Sequence, residues 1–483
     1  MAHAEDVEEL TERRICFKCV GEAYLSRQIE MEGAVARCSY CGDEDPGITL
    51  VEMSDRVATA FEQHYDRTSD QPSSMQYAML KDKESDYEWD REGEPVDEAI
   101  ASAASISEAA AVDIRSILAE RFSDWDSAMS GEETEFDSES NYEPKDVRGG
   151  RWHAQWVSFE RSLKTEARFF DQTAIRHLTE LFNGIDRMVT RARVPVLVNA
   201  GPGASISSLY RARSFPVYRD IHGALARPDL QLGPPPAAAA RAGRMNARGI
   251  SVFYGANDPL VALAEVRPPV GCTVVVARFE IIRAIKLLNL TALSDAMTEG
   301  SIFDPLHLDR LQRAAFLRQL SDRITIPVMP DDEELGYLVT QAIADFLATA
   351  NEPPVDGVIF PSVQAKGDPR NVVLFHKASR VASMEFPVGT KIEVNDGYAT
   401  EDGWEQDFSV YETIPPMKSA DPIVPAVEPG FGDPPLGRDP DQREPTLSVD
   451  PQSVEVHAVE AVQYTTDRNR VRRHRHENVD PPF

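Results

Sequence analysis

Residues 252–281 read V-F-Y-G-A-N-D-P-L-V-A-L-A-E-V-R-P-P-V-G-C-T-V-V-V-A-R-F-E-I. A short apolar run ending at Ala256 predicts a strand, and P-L-V-A-L-A-E-V from Pro259 predicts a helix. The run C-T-V-V-V-A-R-F-E-I from Cys272 predicts a second strand. Further out, I-K-L-L-N-L from Ile285, G-V-I-F from Gly357 and N-V-V-L-F-H from Asn371 also read as strands. Helical patterns lie between them, in the runs starting at Pro305 and Leu335. This alternation predicts an α+β or mixed α/β domain built around a sheet.

A chain of 483 residues is long enough for two or three cores. Its 34 prolines and mean hydropathy of −0.36 imply sizeable loops or tails. A formal net charge of −30 repels a phosphate backbone and makes general nucleic-acid binding unexpected. The basic run Arg468, Arg470, Arg472, Arg473 and Arg475 reads as a solvated tail. No run approaches the ~20 apolar residues of a membrane span, and the acidic N-terminus lacks the apolar segment of a secretory signal. Four of the five cysteines fall in two C-x-x-C pairs, which suits a reducing compartment. A soluble, cytoplasmic protein is therefore expected, with no membrane partner.

The organisation reads as multidomain. Cys16 and Cys19 face Cys38 and Cys41 across the spacing of a four-cysteine zinc knuckle, expected over residues 10–50. Four sulfurs close the tetrahedral shell, so such a zinc is structural and leaves no position for a substrate. Residues 51–195 read as mainly α-helical, with Ile100, Ile106, Val112, Ile114, Ile117 and Leu118 at helical spacing. The acidic stretches Lys81–Pro95 and Gly131–Pro144 are expected as loops, and Gly201-Pro202-Gly203 as a linker. The α+β domain is expected over residues 205–411. Residues 415–483, rich in Pro, Asp and Glu, are expected to be a disordered tail without a core of its own.

Within the α+β region, five polar or aromatic residues stand at the ends or edges of apolar runs. They are Arg211 in L-Y-R-A-R, Arg244 in G-R-M-N, Tyr254, Glu265, and Ser362 in D-G-V-I-F-P-S. A carboxylate in an otherwise apolar helix, as at Glu265, lines a pocket or pairs with a base such as Arg267. Arg213 shares a strand face with Arg211 and is the weaker competitor, while Phe253 faces the core opposite Tyr254. Ser362 by itself would be a turn former. Cys272 reads as a core strand residue, and neither a G-x-S-x-G elbow nor an H-E-x-x-H motif occurs.

This ordered set, from Leu209 to about Tyr411, resembles the RES domain, a family named for its Arg, Glu and Ser and known as the toxin half of bacterial toxin–antitoxin pairs. The resemblance implies an ADP-ribosyltransferase-like fold and cleavage of NAD at the nicotinamide–ribose bond, as a glycohydrolase or phosphorylase. Glu265 would stabilise the oxocarbenium-like transition state, with Arg211 and Ser362 completing the catalytic set. Arg211, Arg244, Tyr254 and Ser362 would bind the NAD. Tyr337, Thr340 and Gln341 fit a recurrent helix of the family and read as supporting residues, as does Asn371. Two departures are Met245, where many members have an aromatic, and the proline- and alanine-rich run between Leu232 and Gly243. The family implies an Xre-type antitoxin or another regulatory partner. The preceding helices resemble the HEPN-like region that accompanies some RES domains. Arg168 and His177 lie too far apart for the ribonuclease motif of that group and read as surface residues. Two other readings keep the same residues: transfer of ADP-ribose to a protein, and a non-catalytic adaptor with a nucleotide-binding domain.

Overall fold

The computed structural model describes residues 4–82, 86–124, 129, 132–325, 333–362, 369–401, 403–415, 441–463 and 466–475. In chain order its strands are β1 (Arg14–Cys16), β2 (Ala34–Arg37), β3 (Glu44–Thr49), β4 (Tyr65–Arg67), β5 (Glu94–Pro95), β6 (Asn141–Pro144), β7 (Val189–Thr190), β8 (Leu197–Ala200), β9 (Ser208–Phe215), β10 (Phe253–Ala256), β11 (Thr273–Ile281), β12 (Ile285–Asn289), β13 (Ala296–Met297), β14 (Gly357–Pro361), β15 (Arg370–Leu374), β16 (Lys391–Thr400), β17 (Gly403–Thr413), β18 (Leu447–Val449) and β19 (Glu455–Ala458). The chain divides into two units, Met1–Val196 with Ala292–Ile326, and Leu197–Thr291 with Pro327–Phe483. No helix among the described residues is long and apolar enough to cross a membrane.

The second unit is α+β. Its nine-stranded sheet runs β18-β11-β9-β10-β15-β14-β12-β8, with β19 also on β11. The neighbours are antiparallel except β12 and β14. β11 is buried on both faces, which explains why Val274, Val275 and Val276 follow one another without polar alternation. One face of the sheet packs Leu209, Phe253, Phe279, Ile359 and Leu374. The other packs Ala212, Ala256, Val274 and Val276 against Val261 and Ala262 of the helix Pro259–Glu265. The strands and helices read from the sequence in this region are present.

Two expectations change here. Gly201-Pro202-Gly203 is a turn joining β8 to β9 of one sheet, not a linker between domains. Gly201 has φ +123, and a Cβ there would lie 2.4 Å from the Arg283 carbonyl oxygen, so no side chain fits. Part of the segment 415–483, expected as a disordered tail, is ordered on the core of the sheet. β18 pairs Leu447 with Ile281 and Val449 with Phe279, and β19 pairs Glu455–Ala458 with Val276–Thr273. Leu447 is fully buried. Strands of three and four residues carry too little pattern to be read in a polar sequence, and their order comes from the edge that receives them. Residues 416–440, 464–465 and 476–483 of that expected tail lie outside the described residues.

In the first unit the cysteine segment and the helices share one core. Ile15, Val20, Leu25 and Ile48 pack with Leu50, Met53, Val57, Ile100, Ile114 and Leu118, so residues 10–50 and 51–195 are not separate globules. The helix Leu50–His64 starts at a capping box, in which Thr49 and Glu52 exchange side-chain and backbone hydrogen bonds. The stretches expected as loops contribute β5 and β6, and β6 pairs with both β4 and β5 in a small sheet; residues 83–85 and 131 lie outside the described residues. The helix His307–Thr325, read as part of the α+β domain, belongs to this unit. Phe316 packs 5.4 Å from Trp156 and Asp309 pairs with Arg151.

His177 is not a surface residue. It is 6 % exposed, on the helix Gln172–Phe182, with Trp152, Trp156 and Phe159 around its ring. Arg168 lies outside any helix and is exposed. Burial pushes the His177 imidazole down to about 4. Burial also lowers His64, helped by His307 and Lys145, and lowers His307, helped by Arg310 and opposed by Asp304. A histidine lowered in the folded state binds fewer protons there than in the unfolded chain, so stability falls as pH drops below about 6.5. Calorimetric melts of the first unit should shift to lower temperature from pH 6.5 to 4. The His177 contribution is on the order of 3 kcal/mol, and His177→Phe should flatten the slope.

Candidate active site and cysteine cluster

Asp258 accepts hydrogen bonds from the Leu260 and Val261 amides and Pro259 opens the helix, so the turn after β10 is fixed by local chemistry. Seven residues later the helix ends at Glu265, whose carboxylate sits beside the ends of β14 and β15. Ser362, immediately after β14, donates its hydroxyl to Glu265 Oε1. Asn371, in β15, donates Nδ2 to the same oxygen at 2.7 Å. Both donors are buried. Oε2 takes no hydrogen bond from the described residues. The Ser362 amide also bonds the Pro369 carbonyl at 2.8 Å, and residues 363–368, read from the sequence as a glycine-containing loop, lie outside the described residues.

Arg244 rides on a turn whose ends, Gly243 and Asn246, are joined by backbone hydrogen bonds. The Tyr254 hydroxyl donates to Asn246 Oδ1 at 2.8 Å and accepts from the Met245 amide at 3.2 Å. From the other side, the Thr340 hydroxyl donates to the Arg244 carbonyl and Gln341 Nε2 to the Gly243 carbonyl, at 2.5 and 2.9 Å. Thr340 and Gln341 therefore hold the turn that carries Arg244. Tyr337 lies 5.9 Å under the Arg244 guanidinium, an aromatic surface supplied from another element while Met245 is buried. Burial lowers the Arg244 pKa, opposed by Tyr337, Tyr254 and Glu265, so Arg244 lies within electrostatic reach of that carboxylate.

Arg211 takes a different position. β9 and β10 share only the register pair Tyr210 and Ala256, and Arg211 Nη1 bonds the Tyr254 carbonyl at 3.2 Å beyond it. Its guanidinium lies 5.0 Å over the Phe253 ring and within electrostatic reach of the Tyr254 phenol. It makes no ion pair with a carboxylate of the described residues. Burial pulls it down to about 10, which leaves it charged at neutral pH. Arg213 is exposed and bonded to the Gln231 carbonyl at 2.7 Å, so it is not placed like Arg211. Cys272 is buried against Val274 and Val276.

Residues 209–394 match the family model described as RES domain. The chain carries a RES domain. No curated protein and no solved structure matches the chain. The RES match includes the segment 292–326 that packs with the first unit, whereas β8, β18 and β19 of the sheet lie outside it.

In the first unit, Cys16, Cys19, Cys38 and Cys41 bring their sulfurs within 4.8 Å of one another. Cys16 Sγ lies 3.6 Å from Cys41 Sγ, and Cys19 Sγ 3.8 Å from Cys38 Sγ. Four thiolates bonded to one ion at about 2.3 Å would be about 3.8 Å apart, so the cluster fits a tetrahedral metal. Burial raises the Cys38 thiol, but the backbone amides of Cys41, Tyr40 and Cys16 outweigh it and bring it down to about 7.

The sequence conceals the role of Asn246, and it offers Asn371 only as a supporting residue without showing that its partner is Glu265. Asn246 satisfies its amide on the Arg241, Ala247 and Ile250 carbonyls, and a lone Asn after Arg-Met signals only a turn. Gly243 belongs to the same design, since a Cβ there would lie 2.5 Å from the Tyr254 oxygen and 2.7 Å from Asn246 Oδ1. Gly243→Ala should therefore destabilise the second unit by about 1–3 kcal/mol in a denaturant titration. Thr340→Val should cost about 1 kcal/mol.

Proposed function

We propose that the RES domain cleaves NAD at the nicotinamide–ribose bond. The observation that carries this reading is the Glu265 carboxylate, fixed through one oxygen by Ser362 and Asn371 while Oε2 is left to face a substrate. In the reaction the C1′–N bond breaks, its electron pair leaves on the nicotinamide nitrogen, and positive charge develops on the ribose. A carboxylate held beside that carbon stabilises the charge without having to reorganise. Arg211 and Arg244 are the cations for the pyrophosphate. A guanidinium offers paired N–H donors that match the oxygens of a phosphate. Tyr254 places Arg244 through the Asn246 turn, and its ring offers a face to the nicotinamide. The fold that suits this chemistry is the ADP-ribosyltransferase-like one. Loss of NAD would arrest growth, in keeping with a toxin or defence effector. An Xre-type antitoxin or another regulatory protein is the matching partner.

Purified full-length protein should release free nicotinamide from NAD, measured by mass-resolved product analysis. Glu265→Ala should lower kcat by about 10²–10³. Ser362→Ala should lower it by about tenfold, the loss of one positioning hydrogen bond to a charged group. Release of nicotinamide that survives in Glu265→Ala would overturn the role given to that residue, and no release by the wild type would overturn the activity. The second product, ADP-ribose, its phosphate or a modified protein, identifies the acceptor.

We further propose that the four thiolates hold a structural zinc. Elemental analysis should give about one zinc per chain. Chelation, or Cys38→Ala, should lower the melting temperature of the first unit by roughly 5 °C or more, because Ile15, Val20 and Ile48 of the knuckle belong to its core.

A further inference from the structure

The ribbon of β16 and β17 is a sheet of two strands, attached to the second unit by one of its faces. On that face Val394 and Phe408 pack against the core, and Asp396 lies 3.3 Å from His222. Side chains alternate along a strand, so Glu393, whose register partner is Tyr411, points the other way from Val394. Gly397 lies on the Glu393 side of β16, and a Cβ there would stand 2.7 Å from Trp404 Nε1. The Trp404 ring therefore lies across the ribbon on that same outer face. Trp404 is 62 % exposed and Tyr411 58 %, two large rings in water on a strand pair whose edges pair with no other strand of the described residues.

Charge states what fits such a face. Residues 391–413 hold seven carboxylates and one lysine. Glu393, Asp407 and Glu412 have no basic partner among the described residues. Like charge of that density opposes pairing of one ribbon with another and admits a basic chain. The same unit carries one. Arg468–Arg475 reads R-N-R-V-R-R-H-R, five arginines with no acid between them. Every residue of it is exposed, and none of its arginines forms an ion pair among the described residues. Fully extended, eight residues span about 26 Å, which is also about the length of β16 from Glu393 to Thr400. Arginine adds a second match, since its plane stacks on indole and phenol rings while its N–H groups bond carboxylates.

We propose that the outer face of the β16–β17 ribbon docks the arginine segment 468–475 of a second copy of this chain. The segment makes no ion pair with the ribbon of its own chain, and each chain carries both halves of the match. Two copies therefore exchange segments reciprocally and close a two-fold dimer. Tyr411 and Trp404 supply the stacking surfaces, and Glu393, Asp407 and Glu412 the counter-charges.

The test is the mass of the full chain by light scattering at about 50 mM and about 500 mM salt, between which the screening length falls from about 14 Å to about 4 Å. The expected result is a dimer at low salt, with a dissociation constant at least about tenfold higher at high salt. Two variants separate the halves: Arg470→Ala with Arg472→Ala and Arg473→Ala, and Glu393→Gln with Trp404→Ala. All five sites are exposed, so both variants should keep the wild-type circular dichroism. Each alone should be monomeric where the wild type is dimeric. Mixed together they should form a heterodimer, because one intact ribbon then meets one intact segment. A monomeric wild type at low salt overturns the proposal. So does a dimer that both variants leave unchanged, or a mixture no heavier than its components. Mass is read without turnover, so none of these results depends on the Glu265 chemistry.

Discussion

A carboxylate at the last residue of a helix meets the negative end of the helix dipole, and Glu265 stands there. What makes that position tenable is a pair of donors from outside the helix, the Ser362 hydroxyl and the Asn371 amide, converging on one oxygen. Those donors reach it only because β14 and β15 pair in the register that sets Phe360 opposite Asn371 and Pro361 opposite Arg370. Ser362 then follows directly where β14 ends. β15 in turn aligns Asn371 with Ala256 of β10, two residues before the helix cap at Asp258. A one-residue slip would turn Asn371 to the opposite face and release the carboxylate.

The cations are held in two unlike ways. Arg244 sits on a turn clamped by Tyr254 and Asn246 on one side and by Thr340 and Gln341 on the other, so a rigid loop carries it. Arg211 belongs to a strand and spans the gap where β9 and β10 stop pairing, taking a carbonyl that a neighbouring strand would otherwise bind. A guanidinium serves there where an ammonium would not, since its planar fork satisfies the carbonyl and still presents further N–H groups. Of the two, Arg244 lies within electrostatic reach of the Glu265 carboxylate, and desolvation lowers the pKa of both guanidinium groups.

The first unit shows how a local motif is absorbed into a larger fold. The cysteines are brought together by turns of a few residues, but the apolar side chains between them pack on helices that come much later in the chain. The helix His307–Thr325 joins the same unit from within the RES match, so the family boundary in sequence is not a packing boundary. The aromatic layer of Trp152, Trp156, Phe159 and Phe316 has a histidine at its centre, the most unusual element of that packing.

By itself the sequence determined what short-range chemistry determines. The C-x-x-C spacing announced the cysteine cluster, the run from Pro259 the helix that delivers Glu265, and the β-branched run from Cys272 the central strand. The ordered Arg, Tyr, Glu and Ser were sufficient to name the RES domain. Only the tertiary structure decided which of those residues meet. Sequence order does not encode strand register, so Asn371 as a partner of Glu265 was not legible, nor was Asn246 as the anchor of Tyr254. Arg211 and Tyr254 are linked through a backbone carbonyl, which has no residue identity to read. The strands Leu447–Val449 and Glu455–Ala458 were hidden for the complementary reason. Their order is conferred by the edge of β11, a property of the fold that receives them and not of their own composition.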